Sequence, residues 1–181
     1  MRALDPQLQS RQKRIATLLT IAQIGYAHWS FGNLYEAMVR VPDRIAEGYE
    51  PGKEDRRLAS IFSSGSPVRY YLPGIPVVIG ATLAAVLTGW KSRNDRPWFA
   101  ALGISVLSGL VSTGWLVRTV NLRLFVAGQP LTPAEQKRFL RLWYRVNAFR
   151  LLAAGIAWLI AARLTSCTCS PAGLEGHQGR R

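Results

Sequence analysis

The chain has 181 residues, room for one domain of ordinary size. Hydrophobic residues make up 49% and charged residues 18%, with a net charge of +13 and a mean hydropathy of +0.08. Nucleic-acid binding, the usual meaning of such a charge in a soluble chain, is set aside: the basic residues flank long apolar runs, and no aromatic-basic platform or recognition-helix pattern occurs.

Residues 1–14 read as a basic amphiphilic arm with four basic residues and one acid. A first helix is expected over about 15–39. Ile15–Tyr35 is 21 residues without Asp, Glu, Lys or Arg, and about 20 residues of helix cross a ~30 Å hydrocarbon layer. The run is longer than the ~7–15 apolar residues of a signal peptide, and no convincing small-x-small cleavage site accompanies it. Residues 40–69 read as a polar connection after Pro42. They contain a turn at Pro51-Gly52, a short surface helix in KEDRRLASIF and a break at SSGSP. A loop of this length is a candidate lid over a site.

The second uncharged run, Tyr70–Trp90, gives a helix over 70–90, with Tyr70 and Tyr71 at the interface and Pro73 and Pro76 near its start. KSRNDR joins it tightly to the third run, Pro97–Val117, so that the two form an antiparallel hairpin. The third helix, 97–118, leaves the membrane near Arg118. The fourth begins with a capping box: Thr132 at the N-cap, Pro133 at the first helical position and Glu135 at N3. Running from 133 to 164, it would be roughly 48 Å long. Its first half is juxtamembrane and its second, around Leu151–Ala162, embedded. Residues 165–181 read as a flexible tail. Cys167 and Cys169 in that tail could be palmitoylated or bind metal, although two thiolates do not complete a zinc site. The absence of any C-x-x-C argues against a membrane thiol oxidoreductase.

The expected architecture is therefore all-α: an integral membrane four-helix bundle over 15–164. The density of Lys and Arg near the helix ends favours a multi-pass protein of the cell membrane with both termini cytoplasmic.

Helical spacing gathers the polar residues onto faces. Gly25, Trp29, Gly32, Asn33, Glu36 and Arg40 form one stripe on the first helix, with His28 and Tyr35 on its flank. On the fourth helix Trp143, Asn147, Arg150 and Ala154 repeat the pattern. Ser105, Ser108 and Ser112 give the third helix a small-residue packing face, with Arg118 and Asn121 at its far end. A charge in the bilayer costs about 2.5–3.5 kcal/mol, so such groups are usually paired. Up-and-down topology brings Glu36 and Arg150 to one depth as natural partners. They serve either as a polar clamp or as catalytic groups. Arg40 reads as snorkelling to water, and His28 as hydrogen-bonding across to a hydroxyl or acting as a base.

G-N-x-Y-E ending the first helix, V-N-L-R at the membrane exit of the third, and W-x-x-x-N-x-x-R opening the fourth resemble the anthrone oxygenase-like family of small four-helix membrane proteins. The resemblance covers roughly Ala16 to Ala162, and Asn33, Asn121, Trp143, Asn147 and Arg150 occupy the matching positions. It implies oxidation of an anthrone to an anthraquinone by molecular oxygen without metal, flavin or other cofactor.

On this reading Glu36, His28 and Arg150 are the candidate catalytic residues. Asn33, Trp29, Tyr35, Arg118, Asn121, Trp143 and Asn147 would bind the substrate. A base removes the acidic carbon-bound proton, and Arg150 with Asn147 stabilises the oxyanion. The expected substrate is lipophilic, aromatic or polyketide-like, and the other partners are membrane lipids; self-association into a homo-oligomer stays open. An acid-base cyclase or isomerase, or a non-enzymatic protein that binds a lipid or partner, is the alternative. No metal site is expected, since His28 and His177 are the only histidines.

Overall fold

The computed structural model describes residues 6–47, 67–71, 73–126 and 131–169, and their regular structure is all helical. α1 runs Pro6–Met38, α2 Val41–Glu47, α3 Pro67–Tyr71, α4 Gly74–Gly89 and α5 Arg96–Leu116. A π-wound segment, Val117–Val126, continues α5 before α6 spans Pro133–Cys169.

Several boundaries differ from the sequence expectation. α1 starts at Pro6, so most of the supposed basic arm is helix. Pro6 suits a first helical position, and the Gln, Arg and Lys residues after it are good helix formers. The second helix divides into α3 and α4, with Pro73 at the N-cap of α4, where a residue without a backbone donor is tolerated. The third does not end near Arg118 but continues in π winding to Val126. The fourth carries on through Cys169, taking residues 165–169 out of the supposed tail and leaving Cys167 exposed on helix. The 40–69 connection is not wholly loop, because 41–47 form α2 with Asp43 and Ala46 buried. The KEDRRLASIF helix and residues 170–181 lie outside the described residues.

The capping box of α6 forms as its spacing requires. Thr132 donates to Glu135 Oε2 from its backbone nitrogen (2.9 Å) and its hydroxyl (2.7 Å), and the Glu135 amide donates back to Thr132 Oγ1 at 3.3 Å.

α1 packs between α4 and α6, and α5 packs against α4 and α6 from the other side. The interior between them is built largely from small and aliphatic residues at helical spacing. Ile15, Leu19, Ala22 and Tyr26 of α1 meet Val78, Ala81 and Ala85 of α4, Phe99 and Leu102 of α5, and Ala157, Ile160, Ala161 and Leu164 of α6. Small residues let backbones approach closely where lipid, not water, is the competing environment. Gly25 marks the tightest approach: a Cβ there would lie 1.9 Å from Val78 Cγ2.

The outward faces are apolar. Ile24 and Phe31 of α1, Leu83 and Leu87 of α4, Ile104 and Leu107 of α5, and Leu152 and Leu159 of α6 are each more than half exposed. Such continuous exposed hydrophobic surface marks a lipid or partner contact. Among the described residues, three helical stretches are long and apolar enough to cross a membrane: Arg69–Gly89, Arg96–Phe125 and Pro133–Thr168. α1 has the length, but Gln23, His28 and Asn33 lower the hydropathy of its uncharged run and it falls short in apolarity.

A second, smaller apolar cluster sits at one end, where Ala46 of α2, Leu116, Val120 and Leu124 around the π-wound segment, and Trp143 of α6 pack together.

Candidate functional site: a buried arginine above an apolar cavity

Arg150 is the organising group. It stands on α6 with only 8% of its surface exposed, one turn after Asn147 and one before Ala153 and Ala154. Its guanidinium lies over the Trp29 ring, 5.6 Å from the centroid, a cation–π geometry. Its Nη1 is 3.5 Å from Asn147 Oδ1, at the long limit of a hydrogen bond, and its Nε has no partner among the described residues.

Asn147 and Asn33 tie α6 to α1. Asn147 Nδ2 donates to the Asn33 carbonyl at 3.0 Å, and Asn33 Nδ2 donates to the Trp29 carbonyl one turn back at 2.7 Å. Both asparagines are essentially fully buried, and Asn33 Oδ1 accepts no hydrogen bond among the described residues.

Glu36 and Tyr71 complete the centre. The groups that act on the Glu36 carboxylate are the Tyr71 hydroxyl and the Arg150 charge. The expected Glu36–Arg150 ion pair does not close: among the described residues only Arg40 and Asp43 approach within ion-pair distance. The Tyr71 hydroxyl is buried; among the described residues no group meets it in hydrogen-bond geometry, although the Glu36 carboxylate is its near neighbour. Gly32 makes room for it, since a Cβ there would sit 2.6 Å from the Tyr71 oxygen. The sequence pattern places Tyr71 at the interface. The signal that could have found it is the glycine in the facing stripe, read as a place where something must pack.

Beneath Arg150 lies a cavity of about 40 Å³. All four long helices line it, through Tyr26 and Trp29, Ile75 and Val78, Ser105 and Gly109, and Arg150, Ala153 and Ala157. The site is thus an apolar space with a cationic, aromatic roof. Ser105 is the serine of the predicted packing face that reaches it.

The remaining candidates separate. The His28 ring stacks on Tyr70 at 4.1 Å, and its Nε2 donates to the Tyr70 carbonyl at 3.1 Å. Tyr35 is 65% exposed and points away from the interior. Arg118 is also exposed, and among the described residues no ion pair joins it to Glu36. Trp143 is buried in the end cluster, edge-on to Tyr144, not in the cavity. Asn121 lies in the π-wound segment with a buried, unpartnered Oδ1. Among the described residues no three His, Cys, Asp or Glu side chains gather.

A latch that spacing alone did not reveal closes the end of α1. Arg40 takes a positive φ of 54° and turns the chain into α2. Its Nη2 donates to Asp43 Oδ1 at 2.6 Å, and the Tyr144 hydroxyl donates to Asp43 Oδ2. Arg40 is therefore an ion-pair partner, not simply a snorkelling charge. Burial acts to raise the Asp43 carboxyl, but hydrogen bonds from Tyr144 and Arg40 and the Arg40 charge outweigh it and hold it below the usual carboxylate range.

No family model matches the chain, and no solved structure matches it. An 89-residue stretch is 33% identical to NADH-quinone oxidoreductase subunit N of Xanthomonas euvesicatoria pv. vesicatoria (strain 85-10), covering 48% of this chain and 18% of that protein. The chain thus spans under a fifth of the curated relative it matches. The anthrone oxygenase-like resemblance continues to rest on the motif residues.

Proposed function

We propose that this chain is a multi-pass protein of the cell membrane, a four-span bundle with both termini cytoplasmic. Its polar centre takes a lipophilic aromatic substrate and performs acid-base chemistry on it, with cofactor-independent oxygenation the reaction the motif resemblance points to. The apolar outer face of α1, with Ile24, Phe31 and Met38 each at least two-thirds exposed, supports counting α1 as the fourth span.

One observation carries the functional reading. Among the described residues Arg150 Nε is a buried donor without a partner at the edge of an apolar cavity, and the Tyr71 hydroxyl and the Glu36 carboxylate lie close to that guanidinium. An unmet buried donor costs about 1–3 kcal/mol, and more when charged. A ligand oxygen carrying negative charge would meet both donors. In the reaction, Glu36 removes the acidic carbon-bound proton and Arg150 with Tyr71 holds the oxyanion. The carbanion then reacts with molecular oxygen: one oxygen atom stays on carbon, and the other leaves as water with the two hydrogens of the oxidised methylene.

The cavity volume favours a second reading. About 40 Å³ holds a water-sized group, whereas pockets for drug-sized ligands run to about 300–1,000 Å³. A fused-ring substrate requires Trp29 and Tyr71 to swing aside. If they do not, Arg150, Asn147 and Asn33 form a clamp that holds α6 to α1, and the protein binds a lipid or partner without turnover.

Membranes containing the chain, supplied with anthrones, related phenols and oxygen-18 gas, distinguish the readings. Labelled product that Glu36→Gln abolishes supports the oxygenase. Unlabelled isomerised product points to a cyclase or isomerase. No product and no binding from the panel favours the clamp. A quinone belongs in the panel because the partial relative is named as a quinone oxidoreductase subunit.

A further inference from the structure

The opposite end of the bundle carries a different feature. The first turns of α1, the last turn of α4 and the short connection after it enclose an open groove of about 670 Å³. Its walls include Ser10, Arg11 and Arg14 from α1, Leu87 and Thr88 from α4, and Lys91. The cations in it divide into two kinds. Arg11 is built into the wall: its Nε and Nη2 both donate to the Thr88 carbonyl, at 3.1 and 2.6 Å, tying the end of α4 to α1. Arg14 and Lys91 are exposed and pair with nothing among the described residues. Among the described residues, no acidic side chain lines the groove. Two free cations beside a third that is held in place form a concave site for a phosphate, which accepts hydrogen bonds from several directions.

We infer that this groove binds the headgroup of an anionic membrane phospholipid. Two features favour a lipid over a soluble phosphate. The groove lies at the very end of the Arg69–Gly89 apolar stretch, at headgroup depth if that stretch spans the membrane. Leu87, 74% exposed on its wall, offers an acyl chain an apolar track leading away from the charges. Aromatic anchors surround the same end: Trp90 is 45% exposed, and Trp98 lies under Arg163 at 4.2 Å. The site is separate from the Arg150 centre, and neither depends on the other.

The test uses the full chain released from vesicles of phosphatidylcholine with a minor fraction of phosphatidylglycerol, with retained lipids counted by native mass spectrometry. The wild type keeps phosphatidylglycerol in preference to phosphatidylcholine. The double variant Arg14→Gln/Lys91→Gln loses that preference by about tenfold or more, as two basic contacts with an anionic headgroup imply. Its helical content is unchanged, since neither side chain has a structural partner among the described residues. Arg138→Gln/Arg141→Gln removes equal charge from exposed positions early in α6 and keeps the preference. Equal retention by the groove variant overturns the inference, as does equal loss in both variants, which would reduce the effect to net charge. Displacement of the lipid by millimolar inorganic phosphate also overturns it and makes the occupant a soluble anion.

Discussion

Gly25→Ala puts the packing of α1 on α4 to a quantitative test. The added Cβ would lie 1.9 Å from Val78 Cγ2 and 3.1 Å from Val78 Cβ, so Val78 needs roughly 1.5 Å of retreat to reach ordinary contact. Val78 is buried, 6% exposed, and valine on a helix has one strongly preferred rotamer. It cannot turn away, so the two helices must part. Overpacking of this kind costs about 1–3 kcal/mol. Alanine is otherwise the better helix former by about 0.5–1 kcal/mol, and Gly103→Ala, which meets nothing within 4 Å, shows that gain alone. The expected pattern is a destabilised Gly25→Ala, a neutral or stabilised Gly103→Ala, and recovery when Val78→Ala is added to Gly25→Ala. Reversible unfolding in detergent, arranged as a double-mutant cycle, reads all three. A Gly25→Ala protein as stable as Gly103→Ala would refute the close approach of α1 and α4.

The Asp43 latch makes stability depend on acid. The folded carboxyl is held below its unfolded value of about 3.9, so its contribution is present at neutral pH and is lost as pH falls through the folded value. Asp43→Asn should flatten that acid limb in a pH series of unfolding midpoints. Tyr144→Phe removes a hydrogen bond to the buried carboxylate and should cost about 1.5–3 kcal/mol in the same assay. Thr132→Ala breaks the capping box of α6, with an expected loss of about 0.5–2 kcal/mol. Cys167 is exposed near the end of α6, so in a Cys169→Ser background a membrane-impermeant maleimide should label it only from the cytoplasmic side. Labelling from outside alone would reverse the proposed topology.

What could be read from the sequence divides by the range of the interaction. The α6 start was legible because Thr132, Pro133 and Glu135 act on one another within a single turn. The α1 and α6 stripes were legible as faces because 3.6-residue periodicity is local. Which residues meet across the bundle was not. Glu36 and Arg150 share a neighbourhood as topology required, yet Tyr71 stands with them and no ion pair closes. Asp43 looked like part of a solvated loop because its partner, Tyr144, is 101 residues away. His28 and Trp143 lay on the right faces but were claimed by Tyr70 and by the end cluster. Two prolines near a helix start can be tolerated, so Pro73 and Pro76 do not by themselves announce the division into α3 and α4. Similarly, nothing in VRTVNLRLFV announces π winding, although such segments often occur at functional sites.

The central claim is that Arg150 and Glu36 meet a substrate instead of only each other's helices. The most direct measurement is oxygen-18 incorporation into an anthrone by the purified chain in lipid nanodiscs, with Arg150→Gln and Glu36→Gln compared at matched helical content and insertion. The account predicts labelled anthraquinone from the wild type and loss of most turnover in both variants. Turnover undiminished in both variants, or no labelled product from the wild type, would contradict it.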